Sequence, residues 1–404
     1  MHNFINGGVC APSGFRAAGV FAGIKKGRTK KDLALIVSDV PASAAAVYTL
    51  NLVKGAPIYI TQENLQNGSA QAVIVNSGNA NTCNADGLEK AREMCRIAAT
   101  ALNIPATDVI VASTGVIGQP LDVAPIQAAI EVLTSELSTN GSATAAEAIM
   151  TTDTFAKEVA VSVEIGGKSV KIGGIAKGSG MINPNMATLL GFLTTDASIA
   201  PDVLAKMLKT AADVSFNRVS VDGDTSTNDT LSIMANGVSG VEITPQTEAC
   251  QAFQAALNAV CIALAKMMAK DGEGATKLLE CIVSGAPDIA TAARVADSVI
   301  NSPLVKTAMF GNDANWGRIL CAIGYSGANL DVNLIDVAIR SSAGEVAVCK
   351  SGAGVEFSEE LALDVLKCTE VVIEIKLNQG ESSSTAWGCD LSYDYVKING
   401  DYRT

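Results

Sequence analysis

The chain has 404 residues, 48% of them hydrophobic and only 4% aromatic, with a net charge of -12 from 29 basic and 41 acidic side chains. That length exceeds what one core usually serves, so two or more domains or layers are expected. The negative balance excludes a phosphate backbone as the expected partner, and the single histidine, His2, excludes Ser-His-Asp and Cys-His catalysis as well as His-ligated zinc or iron.

His2 lies at an end expected to fray. The opening residues lack a basic region and a long apolar run, so no signal peptide is read. The longer uncharged stretches are interrupted by Gly, Pro, Asn and Ser, so no membrane span is read either. Ten cysteines run from Cys10 to Cys389 without a C-x-x-C pair. They read as reduced, mostly buried thiols of a cytoplasmic protein.

Leu33–Val37 and Pro57–Ile60 read as strands. The basic cluster 25–31 fails the spacing of a phosphate-binding loop and reads as a solvated hairpin tip. Gln71–Val75 is a buried-strand candidate ending in the polar turn Asn76-Ser77-Gly78-Asn79-Ala80-Asn81. Leu88–Leu102 has helical periodicity. Asp108–Ala112 is the next strand and runs into Ser113-Thr114-Gly115. Backbone N–H groups at such a strand end can stabilise an oxyanion, worth roughly 3–4 kcal/mol where they do. The same tripeptide also reads as an ordinary turn.

Helices follow at Pro125–Glu136 and Ala143–Met150, then the polar cluster Thr151-Thr152-Asp153-Thr154. Val159–Val163 and Ser169–Ile172 form a hairpin across Gly166-Gly167. That hairpin delivers the chain to Lys177-Gly178-Ser179-Gly180-Met181-Ile182-Asn183-Pro184-Asn185-Met186-Ala187-Thr188. The loop is glycine-rich and polar, then meets an apolar run at Leu189–Leu193 that reads as a fully buried strand. A hydroxyl nucleophile at that junction has no histidine to activate it, which leaves a lysine, a carboxylate or a backbone amine freed by cleavage as base.

Pro201–Val214 and Thr247–Lys270 read as helices, the second long and amphipathic and ending at Asp271-Gly272-Glu273-Gly274. The segment 222–230 lacks the glycine and acid positions of a calcium loop and reads as a polar loop near the site. Lys277–Val283 reads as a strand and Ile289–Ile300 as a helix. The polar turn at 310–318 enters a short helix. The remainder reads mainly as strands: Leu334–Ile339, Val346–Cys349, Val371–Leu377 and Leu391–Ile398. No repeat and no clean linker divides the chain.

The Lys177–Thr188 segment closely resembles the ornithine acetyltransferase family, the glutamate N-acetyltransferases of the arginine pathway. The resemblance spans essentially the whole chain. It includes Asn76–Asn81, Ser113–Gly118, Thr151–Thr154, Asp271–Lys277, Gly311–Arg318 and the closing segment Val396–Thr404. It implies an α/β fold of stacked sheets flanked by helices, similar to the layered N-terminal-nucleophile architecture but with different topology. It implies self-cleavage between Ala187 and Thr188, giving an α subunit 1–187 and a β subunit 188–404 that pair as an α2β2 heterotetramer.

The implied reaction is ping-pong transfer of acetyl from N2-acetylornithine to glutamate through acetyl-Thr188, with no cofactor and no metal. Acetyl-CoA stays open as a second donor. Thr114 and Gly115 form the implied oxyanion hole. Thr152, Lys177, Thr188, Glu273, Asn399 and Thr404 bind substrate, with Thr151 and Thr154 as neighbouring candidates for the Thr152 contact. The competing readings are a self-processing amidohydrolase or aminopeptidase, in which water takes the acyl group, and an uncleaved amino-acid-binding protein.

Overall fold

The computed structural model describes residues 2–25, 27, 29–183 and 189–401. Ala187, Thr188 and Thr404 lie outside the described residues, as do Lys26 and Arg28 of the basic cluster. The chain forms two compact units, each an α/β assembly. The first contains Met1–Gly178, Asn185–Asn217 and Thr225–Leu264; the second contains Ser179–Pro184, Arg218–Asp224 and Ala265–Thr404.

The first unit is built on a nine-stranded mixed sheet. Its order is His2–Ile5, Lys157–Ile165, Lys168–Lys177, Leu190–Thr195, Thr230–Ala235, Leu33–Tyr48, Ser69–Asn76 and Val109–Ser113, with Phe15–Val20 also paired to Leu33–Tyr48. The run Leu33–Val37 is apolar at every position because both faces are covered. Leu33, Leu35 and Val37 point into one core, with Met94, Ile97 and Ile130 of the helices Gly87–Leu102 and Ala124–Ser135. Ala34 and Ile36 point into the other, with Phe15, Ile149 and Phe192. Each such fully buried large side chain contributes roughly 1.5–3 kcal/mol.

Lys168–Lys177 and Leu190–Thr195 are antiparallel neighbours, with Lys177 registered opposite Leu190. Leu190–Thr195 then runs parallel to Thr230–Ala235, which pairs antiparallel with Leu33–Tyr48. Two strands from beyond residue 188 are therefore inserted between strands from before residue 187.

The second unit has a seven-stranded sheet, in the order Val219–Ser220, Ser382–Cys389, Leu278–Ala286, Glu370–Lys376, Asp336–Ser341, Gly344–Lys350 and Ala353–Gly354. Leu279, Cys281 and Val283 alternate into a core shared with Val295 and Val299 of the helix Ile289–Asn301 and with Ile319 of the helix Trp316–Gly324.

Most sequence-based elements are found within a residue or two. Three expectations are corrected. Pro57–Ile60 belongs to the helix Ala56–Asn64. Proline at the first helical turn preorganises it, and Pro57, Ile60, Thr61 and Asn64 bury one helical face despite their β-type composition. Leu391–Ile398 is mostly the helix Tyr393–Gly400, capped by the Ser392 hydroxyl, which accepts from Asp394 N–H. None of that helix's residues is buried, so its Tyr/Val/Ile alternation does not mark a packed strand. His2 is not frayed: His2–Ile5 pairs with Lys157–Ile165.

One helix bears on the expectation that no membrane span is read. The helix Glu248–Lys270 is long and apolar enough to cross a membrane, with a mean hydropathy of 1.5. Its stripe Phe253, Ala256, Leu257, Val260, Cys261 and Leu264 is fully buried in protein, and Val260 and Leu264 lie over Gly174. It is a core helix.

Candidate active site

The candidate residues fall into two groups, Thr114, Gly115, Thr152 and Lys177 in the first unit and Glu273 and Asn399 in the second. The Thr114 turn follows the strand Val109–Ser113. Thr114 N–H donates to Asn76 O at 2.9 Å, while Ser113 O accepts from Asn228 Nδ2 at 2.9 Å. Asn76 braces the turn further. Its Oδ1 accepts from Gly78 N (3.0 Å) and Asn79 N (2.9 Å), and its Nδ2 donates to Ser113 Oγ at 2.7 Å.

Gly115 has φ +133°, and a Cβ there would lie 2.9 Å from Asn79 N. Glycine is required on both counts. The expected pair of backbone donors is thereby revised. Thr114 N–H is committed to Asn76, and the groups that remain are the Thr114 hydroxyl and the Gly115 N–H, which donates to no other described residue.

Lys177 ends the strand Lys168–Lys177 and is buried. Its Nζ donates to Thr114 Oγ1 at 3.5 Å. The carboxylate that answers this cation is Asp153. Asp153 Oδ1 accepts from Lys157 Nζ at 2.7 Å and from Gly178 N at 2.7 Å, and Oδ2 accepts from Thr151 N at 3.0 Å. Burial alone would raise its pKa, but the charges of Lys177 and Lys157 outweigh that and hold it at about 2. Lys157 is fully buried, and its ammonium also lies 4.9 Å from the Phe155 ring centroid. Thr152 is half-buried between Thr151 and Asp153.

In the second unit, buried Glu273 donates its N–H to Ser179 O at 2.7 Å and accepts at Oε2 from Asn399 Nδ2 at 2.8 Å. A Cβ on Gly180 would lie 2.3 Å from that carboxylate, so the close approach itself demands glycine. Asp222 receives Met181 N (2.6 Å), Ile182 N (2.9 Å) and the Tyr395 hydroxyl (3.2 Å). Met181 sits at φ +55°, a backbone position uncommon for a non-glycine residue. Burial raises the Asp222 carboxyl pKa despite these donors.

Sequence reasoning singled out the segments of Asp153 and Asp222 but not these residues as carboxylate hubs, and it missed Asn228 and Lys157. The only signal was their place in polar clusters. Among the described residues, no group of three or more His, Cys, Asp or Glu is arranged to hold a metal ion.

A hydroxyl, an uncommitted N–H and a buried ammonium on an α/β framework define a protein whose site is built to receive negative charge. Residues 16–404 match the profile of the ArgJ family. The chain is 52% identical to the arginine biosynthesis bifunctional protein ArgJ of Symbiobacterium thermophilum over 404 residues, covering 99% of this chain and 100% of that protein. It is 50% identical to the corresponding protein of Caldanaerobacter subterraneus subsp. tengcongensis, covering 99% of each. A crystal structure of an arginine biosynthesis bifunctional protein from Bacillus halodurans is similar at 45% identity and a TM-score of 0.50, over 52% of this chain and 97% of that one. The chain belongs to the ArgJ family and is an enzyme of that family.

Proposed function

We propose that this enzyme is a self-cleaving glutamate N-acetyltransferase that moves the acetyl group of N2-acetylornithine to glutamate. Its relatives bear the name of bifunctional arginine biosynthesis proteins. The observation that carries the reading is local. Lys177, whose ammonium meets the Thr114 hydroxyl, is registered opposite Leu190, two residues after Thr188 in sequence.

In the self-cleavage step the Thr188 hydroxyl attacks the Ala187 carbonyl, and the Ala187–Thr188 amide becomes an ester. The C–N bond breaks as that ester forms, freeing the Thr188 amine, and water then hydrolyses the ester to the Ala187 carboxylate and the Thr188 hydroxyl. That amine titrates near pH ~8 and serves as base for its own hydroxyl. The hydroxyl attacks the acetyl carbonyl of N2-acetylornithine. The proton it loses goes to the leaving nitrogen, and ornithine departs. The amine of glutamate then attacks the acetyl ester, re-forming the hydroxyl and giving N-acetylglutamate.

In each half-reaction the Thr114 hydroxyl and Gly115 N–H meet the oxyanion. Lys177 and Glu273 meet the carboxylate and ammonium of the amino acid, with Thr152, Asn399 and Thr404 completing the contacts. No cofactor takes part, and acetyl-CoA is retained as a candidate second acetyl donor. The reading places the enzyme in the cytoplasm.

Two features support it. Scission at 187–188 leaves products that share one sheet, with six registered residue pairs on each side of the inserted strands, so the halves stay associated. Two such pairs of products then form the α2β2 assembly. The Bacillus halodurans chain is also about half as long as this one, as a scission product would be.

The test is the intact mass of the purified protein under denaturing conditions, followed by acetyl transfer. Two fragments meeting at Ala187–Thr188 and formation of N-acetylglutamate are expected. Release of acetate without N-acetylglutamate would make the enzyme an amidohydrolase. Thr188→Ala should remain one polypeptide without transfer, and retained transfer would remove Thr188 as nucleophile.

A further inference from the structure

We propose that Asn228 is a positioning residue for the Thr114–Gly115 oxyanion turn, reaching it from the far side of the scissile bond. The inference rests on the acyl-transfer reading above. It concerns a side chain in the loop that follows the second unit's segment 218–224 in sequence, within the first unit.

The Asn228 amide is buried and uses its full hydrogen-bonding capacity. Nδ2 donates to Ala80 O at 2.6 Å and to Ser113 O at 2.9 Å. Oδ1 accepts from the hydroxyls of Thr82 and Thr227, each at 2.6 Å. The amide orientation is set by chemistry, because two carbonyls need donors on one side and two hydroxyls supply them on the other.

The bond to Ser113 O is the informative one. The Ser113–Thr114 peptide is held at its carbonyl by Asn228 and at its N–H by Asn76 O. A peptide is planar, so clamping both ends fixes its rotation. That rotation fixes the N–Cα bond of Thr114, the base from which the Thr114 side chain departs and from which Thr114 φ and ψ carry the chain to the Gly115 N–H. The Thr114 hydroxyl and that N–H are the two donors offered to the oxyanion. The bond to Ala80 O ties the same amide to the neighbouring Asn-rich turn, whose Asn79 backbone touches Gly115.

Asn228 belongs to the product that begins at Thr188, whereas Ser113, Thr114 and Gly115 belong to the other. The half that carries the nucleophile thus holds, through Ser113 O, the turn that presents the oxyanion donors of its partner half. Donor misplacement of about 1 Å costs up to ~100-fold in rate, and the loss falls on the transition state rather than on substrate binding.

The experiment compares Asn228→Ala, Asn228→Asp and Asn228→Ser with Asn64→Ala. Asn64 Nδ2 donates to Val109 O at 2.8 Å, at the opposite end of the same strand, so its loss weakens that strand without touching the turn. Steady-state transfer from N2-acetylornithine to glutamate is measured per cleaved enzyme, with thermal unfolding alongside.

The Asn228 variants should lose roughly 10- to 100-fold in kcat while KM for N2-acetylornithine changes less than about 2-fold. Asn64→Ala should keep kcat at a comparable loss of thermal stability. Asn228→Ser retains a hydroxyl donor and serves if Asn228→Ala does not fold; it must still lower kcat. Unchanged kcat in any folded Asn228 variant overturns the proposal. So does an equal kcat loss in Asn64→Ala, or a folded Asn228 variant that stays uncleaved. If the unmodified enzyme transfers no acetyl group, it is the acyl-transfer reading that fails.

Discussion

Lys177 and Leu190 face each other as registered partners across two antiparallel strands, although the whole of 178–189 lies between them in sequence. Lys177 is the last residue of its strand before the segment that carries Ala187–Thr188 in sequence.

Removal of this cation is the direct test. Lys177→Ala is expected to lower kcat/KM for N2-acetylornithine by roughly 10- to 100-fold, the range set by about 1.5–3 kcal/mol for a hydrogen bond to a charged group. Steady-state kinetics on cleaved enzyme measures it. An unchanged kcat/KM takes Lys177 out of the site.

Gly115→Ala probes the oxyanion turn without removing a donor. The added Cβ meets Asn79 N at 2.9 Å, and φ +133° is unsuited to an L side chain. The strain is of order 1–3 kcal/mol, and a displaced N–H lowers kcat by about 100-fold or more. If kcat holds while the thermal midpoint falls, the Gly115 N–H does not serve the oxyanion.

Asp153 predicts a stability profile. Its carboxyl is held at about 2 in the folded protein, below the ordinary value near ~3.9. A depressed carboxylate contributes stability that is fully present above the unfolded value and is lost as pH falls through the folded one. The contribution is therefore constant above about pH 4 and disappears toward pH 2. Asp153→Asn leaves Lys157 buried without its carboxylate, at a cost of roughly 3–5 kcal/mol. Urea unfolding from pH 3 to 7 should show the wild-type advantage shrinking as pH falls. An advantage that grows on acidification contradicts the assignment.

Gly180→Ala tests the Glu273 carboxylate by shape alone. The new Cβ would sit 2.3 Å from the carboxylate, so the Glu273 side chain must leave Asn399. The variant should mimic Glu273→Gln, with kcat/KM for N2-acetylornithine reduced by about 10-fold. The double variant should be no worse than either single one, since both disturb one contact. Additive losses would mean that Gly180 acts elsewhere.

Local chemistry made much of this legible. The Gly166-Gly167 hairpin appears as read, with both glycines at positive φ. The long apolar stripe of Glu248–Lys270 was visible by period. Ala56–Asn64 and Tyr393–Gly400 were not, because their β-branched and aromatic residues alternate like strands. A proline at the first turn and a serine cap decide otherwise once the surroundings are in place. Among the candidate site residues, Thr114, Gly115, Lys177, Glu273 and Asn399 were marked by short motifs. Asp153 and Asn228 lay in marked segments without a role of their own, and Lys157 was unmarked, because what they do depends on Gly178 for Asp153 and on Ala80 and Ser113 for Asn228, partners far along the chain.

The sequence by itself determined the α/β class, the absence of histidine chemistry, the polar turns and the family. Composition and turn residues act over a few positions and carry the histidine count and the turns, while the fold class and the family are carried by the resemblance of the motifs in their order along the chain. Only the tertiary structure decided that Thr114 offers its hydroxyl and not its N–H, that Asp153 lies between two lysines, and that Asn228 clamps Ser113 O. It also decided that two strands from beyond Thr188 are inserted among strands from before it. Each of those depends on which carbonyl, amide or charge arrives from a remote segment, and a buried polar group is satisfied by whatever the fold brings to it.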